Sequence, residues 1–389
     1  MSTNGFSLYI HVPFCASFCD YCDFYSVTAE GYSDTRMDAF VKSVITDIKY
    51  QLEFFDVGEI VTAYIGGGTP SVLGGRRIRL LLDALNAISC FSPKEFTIEA
   101  NPESADEEFL SACREGGVNR LSLGIQSFFE PSRIAVNRHG RASMLEEKLA
   151  LVIRFFPGEF SVDLITGLPY QTEKIVLQDV NRLLAFKPAH VSLYSLSVES
   201  ETPLERKQQT KTVTLPDRDE ADALWLAGRS ALLEAGFDQY EVSNFALDGK
   251  RSAYNVRYWL MESWLGAGPS ASGTLINEKD STAKRFTFAC DVDKYNKEPS
   301  IHMALCEELN RADLIKESLL MGYRYREGPD AEKFRRRFGL GIENCIPQTL
   351  SRWKDRDKML FLNSFLSEAF TELDKNQCAY SNLTQRLFS

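Results

Sequence analysis

From residue 7 to residue 196, short apolar runs alternate with stretches whose apolar residues recur at three- and four-residue steps. Residues 7–12 predict a buried first strand that runs into a loop rich in cysteine. Met37, Phe40, Val41, Val44, Ile45, Ile48 and Leu52 then predict one face of a helix, with its cap expected at Asp34. Residues 60–65 predict a second strand closed by Gly66, Gly67 and Gly68, and Ile78, Leu81, Leu82, Leu85 and Ile88 predict the helix after it. A third strand is expected at 95–100 with a helix at 105–115. Three more strands are expected at 120–125, 160–165 and 190–196, with helices at 141–156 and 173–185 between them. Strands and helices alternating at this spacing imply right-handed crossovers and a parallel sheet covered by helices, an α/β fold. Periodicity leaves open whether that sheet is flat or curled.

The pattern then changes. Residues 197–216 are polar and aperiodic and predict a loop or lid, and 224–235 predict a helix. Beyond about Leu275 the alternation stops. Residues 307–325 and 331–338 predict helices, and 351–374 alternate a charged turn with apolar stretches. A chain of 389 residues exceeds one ordinary core, so a large unit at 1–275 and a small, mostly helical one at 276–389 are expected.

Composition narrows the function. Hydrophobic content of 44% and charged content of 25% suit a globular protein, and a net charge of −10 argues against a nucleic-acid surface. No run resembles a signal peptide or a membrane span, so a cytoplasmic protein is expected. Cys90, Cys113, Cys290, Cys306, Cys345 and Cys378 show no pairing pattern and predict reduced, buried thiols.

Cys15, Cys19 and Cys22 are different: they stand at C-x3-C-x2-C directly after the first strand. With 9 cysteines in 389 residues, such a triplet is expected by chance only about 0.005 times. Structural zinc usually takes two separated pairs of ligands, and no second pair follows within sixty residues; a disulfide would leave one thiol over. An iron-sulfur cluster ordinarily takes four thiolates, so three imply a cluster with one iron left open; another metal, or inert thiols, are the alternatives. Polar residues also sit where the strands end. Glycines 66–68 let backbone approach a ligand, or make a tight turn, and Glu99, Gln126 and Asp163 are capping groups or ligands.

The lead-in Tyr9-x-His11-x-Pro13-Phe14-Cys15, the cysteine spacing and Gly66-Gly67-Gly68-Thr69-Pro70 resemble the radical S-adenosylmethionine (SAM) proteins. The resemblance is to the group of the oxygen-independent coproporphyrinogen III oxidase HemN and the heme chaperone HemW. It covers about residues 7–275 and more faintly the rest. It implies a partial (β/α)6 barrel with a small, mostly helical C-terminal domain of the HemN type, and a 4Fe-4S cluster on Cys15, Cys19 and Cys22. SAM contacts are implied at Tyr9, Gly67 and Glu99, and contacts to a second SAM at Tyr21, Gly68, Thr69, Gln126, Arg138 and Asp163. Stretches 240–246, 254–259 and 266–273 also resemble family signatures, or form an aromatic edge packed on the sheet.

Two features place the chain nearer HemW. The position of the oxidases' fourth cysteine is Phe24, and no long extension precedes the motif. One departs from it: Tyr254 stands where HemW-type proteins carry a histidine suited to heme, and a tyrosinate can also ligate ferric heme. The resemblance thus implies heme delivery to a respiratory acceptor protein, with flavodoxin or ferredoxin as electron donor. The alternatives are a radical oxidase of coproporphyrinogen III in porphyrin biosynthesis, and another SAM-binding role.

Overall fold

The six apolar runs do form strands, and they pair side by side in sequence order in one parallel array. They are Phe6–Val12, Ile60–Gly67, Phe91–Ala100, Arg120–Gln126, Phe160–Thr166 and His190–Ser195. The computed structural model describes residues 5–300 and 304–386. Leu8, Ile10, Val12, Ile98, Leu121, Leu123, Val162, Val191 and Leu193 are essentially inaccessible. Burial on both faces is why these strands read as continuous apolar runs. The helices after the strands cover the array with the residues that carried their periodicity, among them Phe40, Val44 and Ile48 of Asp34–Phe54 and Ile78, Leu81 and Leu85 of Gly74–Asn86. The cap of the first helix is Ser33, which accepts from the Arg36 amide, and Asp34 is its first residue.

The array curls. The backbone N–H of Leu204, after the sixth strand, donates to the carbonyl of Asp20, after the first, at 2.9 Å. In a flat sheet these strands would stand about 24 Å apart, five spacings of ~4.8 Å.

Several expectations need correction. The 197–216 segment contains the helix Pro203–Gln209, capped by Thr202, whose hydroxyl accepts from the Glu205 amide. The helix expected at 224–235 starts earlier, as Arg218–Glu234, because Asp217 and Glu220 form a reciprocal cap. The helix expected at 307–325 is a strand, Leu305–Leu309, followed by a helix, Arg311–Gly322, with Asn310 as cap. Strand structure also continues past 275. Trp264–Ala267 lies parallel beside the first strand, and Ser272–Asn277, Thr282–Thr287 and Leu305–Leu309 follow antiparallel in the same twelve-stranded sheet. The division expected at 275/276 therefore falls inside a strand. A separate apolar cluster does gather the later helices around Leu314, Leu319, Phe334, Phe338, Trp353 and Phe365. Buried ion pairs join it to the larger unit: Lys333 with Glu262 at 2.6 Å and Arg337 with Glu278 at 2.7 Å.

Of the scattered thiols, Cys113 and Cys345 are buried and Cys90 is half-buried, but Cys290 and Cys306 are exposed. The side chain of Cys378 lies outside the described residues. No described helix is long and apolar enough to cross a membrane.

Candidate functional site

The loop after the first strand faces a cavity of about 620 Å3, whose walls come from the carboxyl ends of the parallel strands. Cys15, Cys19 and Cys22 line it together, each half-buried and free. The loop is tied down by residues far along the chain. The Asp20 amide donates to Val136 O at 3.0 Å, Asn137 Nδ2 donates to Phe18 O at 2.8 Å, and Lys207 Nζ pairs with Asp20 at 2.5 Å. Two side chains donate to thiol sulfurs: Thr69 Oγ1 to Cys15 Sγ at 3.6 Å and Arg138 Nη1 to Cys19 Sγ at 3.4 Å.

Among the described residues no three His, Cys, Asp or Glu side chains converge on one ion position. A single-ion site would need that convergence. A cubane cluster does not, because each thiolate meets its own iron. Burial pushes the Cys22 thiol up to about 11 and raises Cys15 as well. Coordination to a metal deprotonates a thiol outright and reverses that tendency. The donor set thus fits an iron-sulfur cluster held by three thiolates.

Opposite the thiols, Glu99 ends the third strand. Its carboxylate accepts from Tyr64 OH at 2.6 Å and from the Gly67 amide at 3.2 Å. Burial nevertheless pushes its pKa up to about 7. Asp163 accepts from Ser122 Oγ at 3.2 Å, and burial raises its pKa too. Gln126 is carried on a bulge: the pairing of the fourth and fifth strands shifts register between Gly124 and Gln126, and Gln126 takes a left-handed φ of 68°. Such a backbone is unusual for a residue with a side chain. Gln126 Oε1 and Arg138 Nε are buried without a hydrogen-bond partner, and both residues line the cavity. A buried Glu99 carboxylate with no cation acting on it among the described residues, and buried polar atoms short of a partner, fit a ligand such as SAM, which carries a sulfonium, an amino group and ribose hydroxyls.

Tyr21, Gly67, Gly68, Thr69, Glu99, Gln126, Arg138 and Asp163 all line this one cavity with the thiols. Tyr9 is not among the lining residues. Its hydroxyl pairs with His11 Nδ1 at 3.2 Å, while His11 Nε2 lies 2.9 Å from Tyr25 O, so Tyr9 and His11 brace the loop from behind. Tyr254 is also set apart: its ring is buried 5.1 Å from that of Tyr64, and burial holds its pKa far above the ordinary value, so it remains a neutral phenol. The structure does not bring it to the cavity.

The glycines serve the protein before any ligand. A Cβ on Gly66 would meet the Glu99 carboxyl at 2.8 Å, one on Gly67 would meet His11 Nδ1 at 2.4 Å, and one on Gly68 would meet Phe14 O and Val12 O at 2.8 Å. Gly67 also has φ of 108°.

Sequence reasoning missed other parts of the site. Arg133, fully buried, donates to the carbonyls of Ile125, Ser127, His139 and Gly140 and so shapes the loop that presents Arg138. An arginine inside an otherwise helical stretch gave no signal of that role. Glu95 accepts from Ser252 Oγ and from the amides of Ala253 and Tyr254, fixing the start of the helix Ala253–Trp259. Phe18 and Phe24 line the cavity while remaining 43% and 66% exposed, which makes the mouth apolar.

Comparison with known proteins bears on this arrangement. Residues 9–183 match the model of the radical SAM superfamily. The chain is 34% identical to the heme chaperone HemW of Lactococcus lactis, over 89% of this chain and 88% of that one. It is 35% identical to the mouse mitochondrial radical S-adenosyl methionine domain-containing protein 1, over 82% and 73% of the two chains. Among solved structures, HemN of Escherichia coli superposes with a TM-score of 0.76 at 19% identity, covering 94% of this chain and 90% of that one.

Proposed function

Because the chain belongs to the radical SAM family, in the group of the heme chaperone HemW, we propose that it carries heme to respiratory acceptor proteins from a site built around a cluster and SAM. The observation that carries this reading is one cavity lined by three thiols, the carboxylates of Glu99 and Asp163, Gln126 and Arg138 with their unpartnered Oε1 and Nε, and the exposed rings of Phe18 and Phe24. In this reading Cys15, Cys19 and Cys22 hold a 4Fe-4S cluster. When bound, such a cluster supplies an electron able to split the sulfonium of SAM, delivered from a donor such as flavodoxin or ferredoxin. The free cysteines accord with a cytoplasmic setting.

The chain's own residues then divide the work. Glu99, oriented by Tyr64 and Gly67, offers a carboxylate to the cationic part of SAM, and Asp163 offers a second one beside Ser122. Gln126 supplies an amide to a ribose hydroxyl or the adenine, and Tyr21, Gly68 and Thr69 complete the wall. Phe24 stands where an oxidase would carry another cysteine. Its exposed ring suits an apolar, planar macrocycle at the mouth better than it suits a metal.

The test is anaerobic reconstitution followed by two assays on one sample: heme binding by absorption spectroscopy, and 5′-deoxyadenosine release with coproporphyrinogen. Heme is expected to bind, and Phe24→Ala to weaken that binding about tenfold, the loss of one ring contact of about 1.5 kcal/mol. SAM-dependent conversion of coproporphyrinogen to protoporphyrinogen would overturn the chaperone reading in favour of an oxidase.

A further inference from the structure

Arg138 has an unusual set of partners. Its guanidinium donates to Cys19 Sγ at 3.4 Å and to the carbonyl of Gly124 at 2.6 Å, and its Nε has no partner. Among the described residues no carboxylate pairs with it within 4.0 Å, although Glu103 and Asp163 interact with it from further away. Arg138 is half-buried, and among the described residues three of the four buried arginines and lysines do have one: Arg77 with Asp34, Lys333 with Glu262, Arg337 with Glu278. A cation drawn this far from water without a carboxylate partner is costly unless another anion is supplied.

The surroundings are built to keep that cation in place. Arg133 folds the loop through four carbonyls, and the Arg138 amide donates to Arg133 O at 2.8 Å. Asn137 and Val136 stitch the same loop to Phe18 and Asp20, on either side of Cys19. Gly124 leaves room, since a Cβ there would stand 3.0 Å from Arg138 Nη2. This construction holds the guanidinium between the Gly124 carbonyl and the Cys19 sulfur.

We infer that Arg138 is the counter-cation of the iron-sulfur cluster, a positioning residue that acts through the Cys19 sulfur and raises the cluster's reduction potential. The inference rests on the cluster reading given above. Its physical basis is that one-electron reduction adds negative charge to the cluster, so a fixed positive charge and an N–H···S bond favour the reduced form. This role differs from holding the carboxylate or ribose of SAM, and it operates before SAM arrives.

The test is a mediated redox titration of the reconstituted full-length protein without SAM, followed by EPR, on wild type, Arg138→Gln, Arg138→Lys and Gly124→Ala. Arg138→Gln is expected to move the midpoint to more negative potential, and Arg138→Lys to retain most of the wild-type value. Gly124→Ala keeps the charge but displaces the guanidinium, and should give a smaller shift of the same sign. An unchanged midpoint in Arg138→Gln, with loss of SAM affinity alone, would overturn the inference and make Arg138 a ligand-binding residue. If Arg138→Gln does not load a cluster, an unshifted midpoint in both Arg138→Lys and Gly124→Ala overturns it equally. Wild type that takes up no iron and sulfide would instead bring down the cluster reading itself.

Discussion

The cavity and the region around Tyr254 both contain buried polar and aromatic groups, yet they differ in whether the atoms left without partners belong to residues that line an open space. Around Tyr254 most groups find partners: Glu95 takes up three donors at the start of the helix, and His190 lies between Ser161 Oγ at 2.7 Å and Tyr240 OH at 2.8 Å, while Trp259 Nε1 and Arg120 Nη2 are left over but line no cavity with the thiols. Around the cavity the leftover atoms belong to residues that line it: Gln126 Oε1 and Arg138 Nε have no partner, Gln126 is held in a strained backbone, and burial raises the pKa of Glu99 and Asp163. Unpartnered polar atoms occur elsewhere in the protein too, but where they belong to residues lining a cavity they mark a place where a ligand can bind.

Breaking the cavity side should have the larger consequences. Replacing Cys15, Cys19 or Cys22 singly by Ala is expected to abolish the cluster, read as loss of iron, sulfide and visible absorption after anaerobic reconstitution. Full iron and sulfide in all three variants would mean that these thiols are not the ligands.

Glu99→Gln should reduce SAM affinity about tenfold or more, measured by calorimetry on reconstituted protein, because a neutral amide gives up the attraction to a cation in a dry site. Its pH dependence sharpens the point. With Glu99 titrating near 7, wild-type affinity should fall as pH drops below 7 and the carboxylate protonates, while the Gln variant stays flat. The ligand-free protein has the opposite trend. A folded pKa raised from 4.5 to about 7 contributes stability that is complete below pH 4.5 and is lost as pH rises through 7. Equal pH profiles for wild type and variant would remove Glu99 from the ligand's surroundings.

On the Tyr254 side the effects should be smaller and confined to stability. Glu95→Ala strips three donors of their acceptor and should cost about 1–3 kcal/mol in denaturant unfolding, with cluster content unchanged. Smallest of all, Tyr254→Phe should leave the heme absorption spectrum as in wild type; a shifted Soret band would show that heme reaches Tyr254.

Much of this was legible in the chain. The parallel strands are buried on both faces and announce themselves as apolar runs, and three cysteines in eight residues are too improbable to be scattered thiols. The antiparallel extension was not legible. Leu305–Leu309 is exposed along most of its length, reads as Leu-Cys-Glu-Glu-Leu, and is a strand only because Thr282–Thr287 pairs with it. Residue types at the strand ends pointed to the right rim, but which of them a ligand can reach depends on side-chain direction. Tyr9 turns to His11, and Gly67 is a glycine because His11 fills the space beside it. Gly67→Val, which would look like a test of ligand space, would instead break the brace behind the cysteine loop.

The ties that hold the cysteine loop also set a timetable for biosynthesis. The loop leaves the ribosome well before Val136, Leu204 and Lys207, which grip Phe18 to Asp20 together with Asn137. At roughly 5–20 residues per second, the nascent chain waits about 10 to 40 s between making its thiols and being able to close around them. Throughout that interval the three sulfurs lie on an unclosed barrel, exposed to oxidants and to stray metal ions. Closure of the loop around its thiols therefore cannot be complete until residue 207 has been translated.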